Sequence, residues 1–347
     1  YPADAGYAFL DGTLQWNPAA SGGIPSSYDV YFGTTNPPDY VTNQAELTYT
    51  PTLAAATTYY WQIVPRNGTG PAVNCPVWSF ATPGATQLAE SFEVVTPFLP
   101  VGWDNPGTWS GTTTSPFHGA RVAYKSASTT PAILSTPLLG IETGDALDFY
   151  YRTASTTGYG LMNIKYSSDR VTWSQIGATI SMPITTTWNH AVVDLSAIAG
   201  NNYFLAFEVF TSTSTSSIYI DHVFGPDFAA VAPGAPTLTA PADLATDVSE
   251  YTTFSWTAPT TGGIPTGYNL YLDTVSGSTL YASDVTSPYT LTTALNYNTP
   301  YYWTVAAYNG SGTGPGATVQ SFTTRPDPII YTMPWLEDFG TTGTTFP

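Results

Sequence analysis

The feature that most constrains this fold is a long internal repeat, in which aromatic residues and turns recur about 240 residues later. The positions that match at a spacing of 240 are Trp16 and Trp256, Gly22 to Pro25 and Gly262 to Pro265, Tyr28 and Tyr268, and Tyr31 and Tyr271. The positions that match at 242 are Tyr59 to Trp61 and Tyr301 to Trp303, and Ser79 with Phe80 and Ser321 with Phe322. A drift of two residues is typical of an insertion in a surface loop. The repeat therefore predicts two copies of one domain.

Each copy consists of short alternating apolar runs separated by Gly, Pro and Asn, a pattern that predicts strands and turns. The runs are YDVYF, YYWQIV and VWSF in the first copy, and YNLYL, YYWTVAAY and VQSF in the second. No window shows the 3.6-residue periodicity of a capped amphipathic helix. We therefore predict a small β-sandwich for each copy and an all-β chain with almost no helix.

These runs resemble the fibronectin type III domains that are frequent in secreted bacterial proteins. The shared features are an early Trp, a GGIP turn before a Y-x-x-Y strand, a YYW strand and a closing SF-x-T. The resemblance implies core positions for Trp16, Trp61, Trp256 and Trp303. The alternative is that these rings form an exposed platform for sugars.

The two copies differ at their starts. The second is preceded by the segment from Pro233 to Pro241, whereas the first opens directly at PADAG. We therefore expect the first copy to lack its first strand and the N-terminus to be an arbitrary or processed end within a longer protein. The predicted divisions are a first fibronectin-like domain at 1–83, a middle domain at 84–231, a second fibronectin-like domain at 232–326 and an extra strand at 327–347.

The middle domain is also all-β, with strand patterns such as ALDFYYR, NYFLAFEVF and SIYIDHVF. Together with ESFE, PVGW and YSSDRVTW, these resemble the jelly roll of the cleaved-adhesin or MAM-like family. The resemblance implies a structural calcium ion at Glu93 and Asp221. Relatives often have two adjacent acids in the last strand, whereas here His222 follows Asp221. The alternative is that both carboxylates accept backbone hydrogen bonds.

Composition excludes several function classes. Charged residues make up 9% of the 347 residues, and 24 acidic against 7 basic residues give a net charge of −17. So few cations cannot neutralise a run of phosphates, which argues against nucleic-acid binding. No apolar stretch reaches the roughly 20 residues of a membrane span, so we expect no membrane insertion. The neutral, hydroxyl-rich remainder suits a secreted protein at the cell surface, and the single cysteine, Cys75, excludes an intramolecular disulfide.

No set of catalytic residues is evident. The three histidines, His118, His190 and His222, lie outside any HExxH, nucleophile-elbow or triad-like context. Acid pairs such as Glu90 with Glu93 are close in sequence, but the resemblance to a domain opening explains them. We therefore predict that the chain is not an enzyme.

Two functions remain open. The first is a structural or adhesive extracellular segment of a modular repeat surface protein, with a filament or fibre subunit as one form of this role. Its partners would be neighbouring copies or domains of the same protein. The second is a carbohydrate-binding accessory region of a larger secreted hydrolase or peptidase, with surface glycans as partners. Its binding residues would be Trp103, Trp109, Trp173 and Trp188, and it requires two or more of them on one solvent face.

The C-terminal segment repeats the opening of the middle domain, since Glu337 and Phe339 lie 247 residues after Glu90 and Phe92. We expect it to be the first strand of a further jelly roll, or a strand that docks on a neighbouring chain. Docking would link subunits head to tail. The apolar residues that would make the contact are Ile329, Ile330, Trp335, Leu336 and Phe339.

Overall fold

The structure is a computed structural model that describes residues 1–18, 23–94, 98–106, 109–154, 160–182, 186–211 and 217–328. It contains the strands β1 to β27, and the one helix in these ranges is a short 3-10 helix at Ser196–Ile198. The prediction of an all-β chain with almost no helix is confirmed. Tyr, Val, Ile and Thr favour strands because their side chains pack well on a pleated surface, and the intervening Gly, Pro and Asn favour turns.

The first sandwich consists of eight strands. They are β1 (Gly6–Tyr7), β2 (Leu14–Gln15), β3 (Ser27–Gly33), β4 (Tyr40–Gln44), β5 (Thr48–Tyr49), β6 (Thr58–Asn67), β7 (Gly70–Pro71) and β8 (Trp78–Ala81). One sheet has the order β1-β8-β6-β3-β4 with β7 on β6, and β2 pairs with β5 opposite it. β1 runs parallel to β8, with Gly6 opposite Phe80.

The jelly roll follows with ten strands. They are β9 (Gln87–Glu90), β10 (Trp109–Thr112), β11 (Val122–Lys125), β12 (Ala132–Ile141), β13 (Ala146–Thr153), β14 (Gly160–Ser167), β15 (Ser174–Met182), β16 (Asn189–Asp194), β17 (Asn201–Thr211) and β18 (Ile218–Asp227). The sheet β10-β11-β18-β13-β16, with β9 on β18, faces the sheet β12-β17-β14-β15 across the core. β18 is buried at every residue except the last.

The second fibronectin-like sandwich has nine strands. They are β19 (Thr237–Ala240), β20 (Ala245–Val248), β21 (Thr253–Thr257), β22 (Gly267–Asp273), β23 (Leu280–Val285), β24 (Tyr289–Thr290), β25 (Pro300–Asn309), β26 (Gly312–Gly316) and β27 (Gln320–Thr324). Val30 lies opposite Ile63 in the first copy, and Leu270 lies opposite Val305 in the second. Leu270 lies 240 residues after Val30, and Val305 lies 242 residues after Ile63. The repeat in sequence is therefore also a repeat in strand pairing.

The tryptophans that the resemblance places in the cores are buried with one exception. Trp61, Trp256 and Trp303 are at most 4% exposed. Trp16 is only half-buried and packs at the margin of the first core. The expectation is therefore wrong for Trp16. Leu238 of β19 lies opposite Trp256, and no described residue takes the equivalent place opposite Trp16.

Contacts divide the chain into two compact units. One comprises residues 1–231 with 260–264, and the other comprises 232–259 with the described residues from 265 onward. The divisions predicted at 83 and 326 stay predictions. The docking residues Ile329, Ile330, Trp335, Leu336 and Phe339 lie outside the described residues.

Candidate functional site

The two acids predicted as calcium ligands both contact one loop of the jelly roll. This loop, 116–121, leads into β11. Asp221 lies on β18, which pairs with β11, and Glu93 follows β9, which pairs with β18. Strand pairing thus brings two acids 128 residues apart in sequence to the same short segment.

Asp221 is fully buried and satisfied by backbone donors. The N–H groups of Phe117 and His118 donate to its Oδ2 at 2.7 and 3.0 Å, and the N–H of His222 donates to its Oδ1 at 2.7 Å. Burial nevertheless raises the pKa of Asp221 to about 7, and the nearby charge of Glu93 adds to the rise.

Glu93 holds the other half of the loop. The N–H groups of Ala120 and Arg121 donate to its carboxylate at 3.0 and 3.2 Å. Gly119 lies between the two anchored halves with φ +66°, and a Cβ there would be 2.2 Å from Oε1 of Glu93. Only glycine fits this position without displacing the carboxylate. The two acids therefore fix the backbone of loop 116–121.

The same hydrogen bonds bear on calcium. A calcium ion takes six to eight oxygen ligands, whereas the donor set here is two carboxylates that already accept N–H groups. The described residues include no group of three or more His, Cys, Asp or Glu side chains arranged to hold a metal ion. These side chains therefore do not make a complete calcium site by themselves, and calcium at Glu93 and Asp221 stays a prediction. Titration with calcium, with Glu93→Gln as the control, tests it.

The three histidines converge beside this loop. His222 is fully buried with φ +54°, and its Nε2–H donates to the carbonyl of Tyr7 at 3.3 Å. The hydroxyl of Tyr1 lies 3.1 Å from the same nitrogen, and Nδ1 has no hydrogen-bond partner. Burial lowers the pKa of His222 to about 3, so the ring is neutral at pH 7.

The other two histidines each contact a carboxylate. Nε2 of His118 lies 3.0 Å from Oδ1 of Asp11, and Nε2 of His190 lies 2.7 Å from Oδ1 of Asp148. Tyr150 connects the two sides, since its ring stacks on His190 at 4.7 Å and on Phe117 at 3.7 Å between centroids. The sequence analysis predicted no common site for the three histidines, because they lie far apart in the chain and outside any catalytic motif.

Aromatic residues of the first sandwich pack onto this cluster. Phe9 stacks on His118 at 4.5 Å and contacts Phe224 at 4.6 Å, and Tyr7 stacks on Phe224 at 5.2 Å. We call Tyr7, Phe9, His118, His222 and Phe224 the aromatic junction. Aromatic pairs of this kind each contribute about 0.5–1.5 kcal/mol beyond burial of their area. A groove of 720 Å³ opens beside the junction, with Phe9, Glu93 and His118 in its wall.

The four tryptophans of the carbohydrate hypothesis do not share one exposed face. Trp103 and Trp109 are each 5% exposed and belong to the jelly-roll core, so neither offers a ring to solvent. Trp173 and Trp188 are half-buried. Trp188 lies 5.9 Å from Phe117, and the guanidinium of Arg152 lies 5.2 Å from its ring.

The family model of the fibronectin type III domain matches residues 239–324, which confirms the resemblance for the second copy. No curated protein matches the chain.

Similar solved structures include the CBM22-1 xylan-binding domain of Xyn10C from Paenibacillus barcinonensis, at 14% identity and a TM-score of 0.32, covering 40% of this chain and 92% of that one. The K3 cleaved adhesin domain of Lys-gingipain from Porphyromonas gingivalis matches at 18% identity and a TM-score of 0.34, covering 40% and 97%. A structure of carbohydrate-binding modules from the β-sandwich superfamily matches at 18% identity and a TM-score of 0.36, covering 65% of this chain and 95% of that one.

No helix among the described residues is long and apolar enough to cross a membrane.

Proposed function

We propose that this chain is a non-enzymatic extracellular segment of a modular repeat surface protein, with a structural or adhesive role. The aromatic junction is the observation that carries the proposal. A segment that spaces or anchors other domains needs consecutive sandwiches held against each other. The aromatic junction joins the two sandwiches of the first unit through ring contacts, and His222 and Phe224 are its fully buried members.

The titratable groups of this region suit a structural role better than a catalytic one. His118 and His190 each contact an Asp, and His222 contacts a tyrosine hydroxyl and a carbonyl. No hydrogen bond in the described ranges joins a histidine ring to a Ser, Thr or Cys side chain. General-base activation of a nucleophile needs such a contact or one through water.

Surface labelling tests the proposal. Antibodies against residues 1–347 should label intact, unpermeabilised cells of the source organism, or material shed from them. Beads coated with the chain should also adhere to those cells or to one another. An antibody against a cytoplasmic protein is the control. Labelling that appears only after permeabilisation would contradict an extracellular role.

Carbohydrate binding is the second candidate, and the half-buried ring of Trp188 beside Phe117 and Arg152 favours it. Polysaccharide pull-down of the wild type and of Trp188→Ala tests this candidate, with Trp78→Ala on the first sandwich as the matched control. Retention that only Trp188→Ala abolishes would favour the carbohydrate-binding role. Trp109→Ala is unsuitable because Trp109 is a core residue.

A further inference from the structure

The outward face of the first sandwich carries polar and tyrosine side chains on β3, β4 and β6. Side chains alternate along a strand, so Asp29 and Tyr31 of β3 lie on the face opposite to that of the buried Val30. Strand pairing sets Tyr40 of β4 beside Tyr31, and Asn43 beside Asp29. These side chains line a groove of 550 Å³, which we call the tyrosine groove. Its main wall residues are Ser27, Asp29, Tyr31, Tyr40, Asn43 and Arg66.

Asp29 is the buried member of this groove and fixes the side chain of Arg66. It is 4% exposed, and its Oδ1 accepts a hydrogen bond from Nδ2 of Asn43 at 2.7 Å. Its Oδ2 accepts the Nε–H of Arg66. In the described part of the chain, the two Nη nitrogens of Arg66 have no hydrogen-bond partner, and the side chain is 47% exposed. A guanidinium held at Nε by a buried carboxylate therefore keeps its remaining N–H groups available to a ligand.

Tyr31 and Tyr40 add an apolar surface and two hydroxyls. Their rings pack edge to face, with centroids 5.6 Å apart and planes at 75°. Tyr40 is 57% exposed, so much of its ring is open to solvent. Neither hydroxyl makes a hydrogen bond within the described ranges. A tyrosine offers contact area and a hydrogen-bonding group at a small entropy cost, because its side chain has only two rotatable angles.

The second sandwich has the same strand pairing but covers the equivalent place. Tyr308 takes the position of Arg66. It lies opposite Gly267, which is equivalent to Ser27. A Cβ added to Gly267 would be 2.5 Å from the hydroxyl of Tyr308, so the phenol lies across this position. The same hydroxyl donates to Oδ1 of Asp284 at 2.7 Å. In the second copy, this side chain is therefore already engaged within the fold.

Two further groove positions differ between the copies. Asn269 is equivalent to Asp29, and Leu280 is equivalent to Tyr40, since each lies 240 residues later. The β-sandwich thus forms without the buried carboxylate, the guanidinium and the exposed phenol. Replacing a buried ion pair by neutral residues is often neutral for stability or even stabilising. Stability alone therefore does not explain Asp29 and Arg66, and a ligand gives the groove a reason.

We propose that the tyrosine groove binds a neutral saccharide. The Nη–H groups of Arg66 donate to adjacent sugar hydroxyls, the hydroxyl of Tyr31 completes the hydrogen bonding, and the apolar face of a pyranose ring lies against Tyr40. A neutral ligand fits because Asp29 already balances the charge of Arg66, and the net charge of −17 repels anions. The proposal goes beyond the structural or adhesive role and does not depend on it, since loss of this binding would leave surface labelling unchanged.

Retention of the whole chain on immobilised polysaccharides tests the proposal. The probes are a glucan, a galactan, a mannan and a xylan, all neutral, with polygalacturonate as the anionic counterpart. At least one neutral polymer should retain the chain, a soluble fragment of the same polymer should inhibit the retention, and salt should have little effect on it. Polygalacturonate should not retain the chain.

Two variants locate the binding in the groove. Tyr40→Leu installs the residue that the second copy carries at this position, which the fold tolerates, and it should weaken binding at least about tenfold because the ring contact is lost. Arg66→Lys keeps the charge beside Asp29 but loses the planar fork, and it should also weaken binding. Tyr251→Leu is the matched control, because Tyr251 is 52% exposed on the second sandwich, and it should bind as the wild type does.

The proposal is overturned if no neutral polymer retains the chain, or if Tyr40→Leu and Arg66→Lys both bind as the wild type does. Retention on polygalacturonate that salt abolishes would assign Arg66 to an anion instead. Loss of retention with Trp188→Ala alone would place the sugar on the jelly roll and would likewise overturn the proposal.

Discussion

Two adjacent residues, Asp221 and His222, have pKa values displaced in opposite directions by the same burial. The pKa of the His222 imidazole falls to about 3, and that of the Asp221 carboxyl rises to about 7. Both shifts favour the neutral form, which is the form that burial away from bulk solvent stabilises. The pair should therefore carry little charge in the folded protein below pH 7.

Removing His222 should change the pH dependence of stability. Unfolded His222 has a pKa of about 6.5 and binds a proton below that pH, whereas the folded ring does not until about pH 3. The free energy of unfolding of the wild type therefore decreases as the pH falls below 6.5. The unfolding free energy of His222→Asn minus that of the wild type should therefore rise as the pH falls, by about 1.4 kcal/mol for each pH unit below 6.5. Urea denaturation at pH 5 to 8 measures it.

Asp221→Asn is the counterpart of opposite sign. Folded Asp221 keeps its proton up to about pH 7, whereas the unfolded carboxyl loses it near 3.9. The ionised Asp221 thus lowers the free energy of unfolding of the wild type most above pH 7, and this loss becomes smaller as the pH falls. The unfolding free energy of Asp221→Asn minus that of the wild type should therefore decrease on acidification. Any constant strain or lost hydrogen bond cancels in these slopes. Parallel curves for both variants and the wild type would show that neither group titrates differently on folding.

The loop 116–121 is fixed by hydrogen bonds to the side chains of Asp221 and Glu93, and Gly119 is its position most sensitive to substitution. Gly119→Ala would place a Cβ against Glu93 at a positive φ, and we expect it to destabilise the protein by about 1–3 kcal/mol. Gly200→Ala is the matched control, since Gly200 has φ +82° and no atom within 4 Å of the added Cβ. Thermal unfolding of both variants separates the collision from the backbone cost. Equal losses would mean that Glu93 moves away freely.

At this scale, local pattern predicted most of the strands. The alternating residues of YDVYF and YYWQIV correspond to β3 and β6, which pair with each other. Because of the repeat, the equivalent runs of the second copy form β22 and β25, which pair in the same way. The parallel pairing of β1 with β8 was not predictable, because β1 has two residues and its partner lies more than 70 residues later.

The junction could not be predicted for a related reason. Phe9, His118 and His222 lie on three different segments, and only the fold brings their rings together. The two acids were found because their family resemblance was visible. Their role in holding loop 116–121 depends on backbone N–H groups, which carry no sequence signal. The signal available in hindsight is the alternation of Tyr7 and Phe9 in a segment too short to bury both in its own sandwich.

For the whole molecule, the two compact units should fold independently. The second core consists of residues between Leu238 and Phe322, and Arg325 closes it by donating to Glu250 at 2.8 Å from Nε and from Nη2. Residues 232–328 expressed alone should therefore unfold in one cooperative transition. Circular dichroism and calorimetry of the fragment, compared with the whole chain, check this. An unfolded fragment would show that it depends on residues 1–231.

The single thiol gives the first sandwich a built-in chemical probe. Cys75 is half-buried and directly precedes Pro76, and its carbonyl accepts a hydrogen bond from Nε2 of Gln62 at 2.6 Å. Burial raises the pKa of this thiol, so its alkylation should be slow at neutral pH and accelerate as the solution becomes alkaline. Since Cys75 is the only cysteine in the sequence, the rate of alkylation of its Sγ reports how accessible this segment of the first sandwich is to solvent.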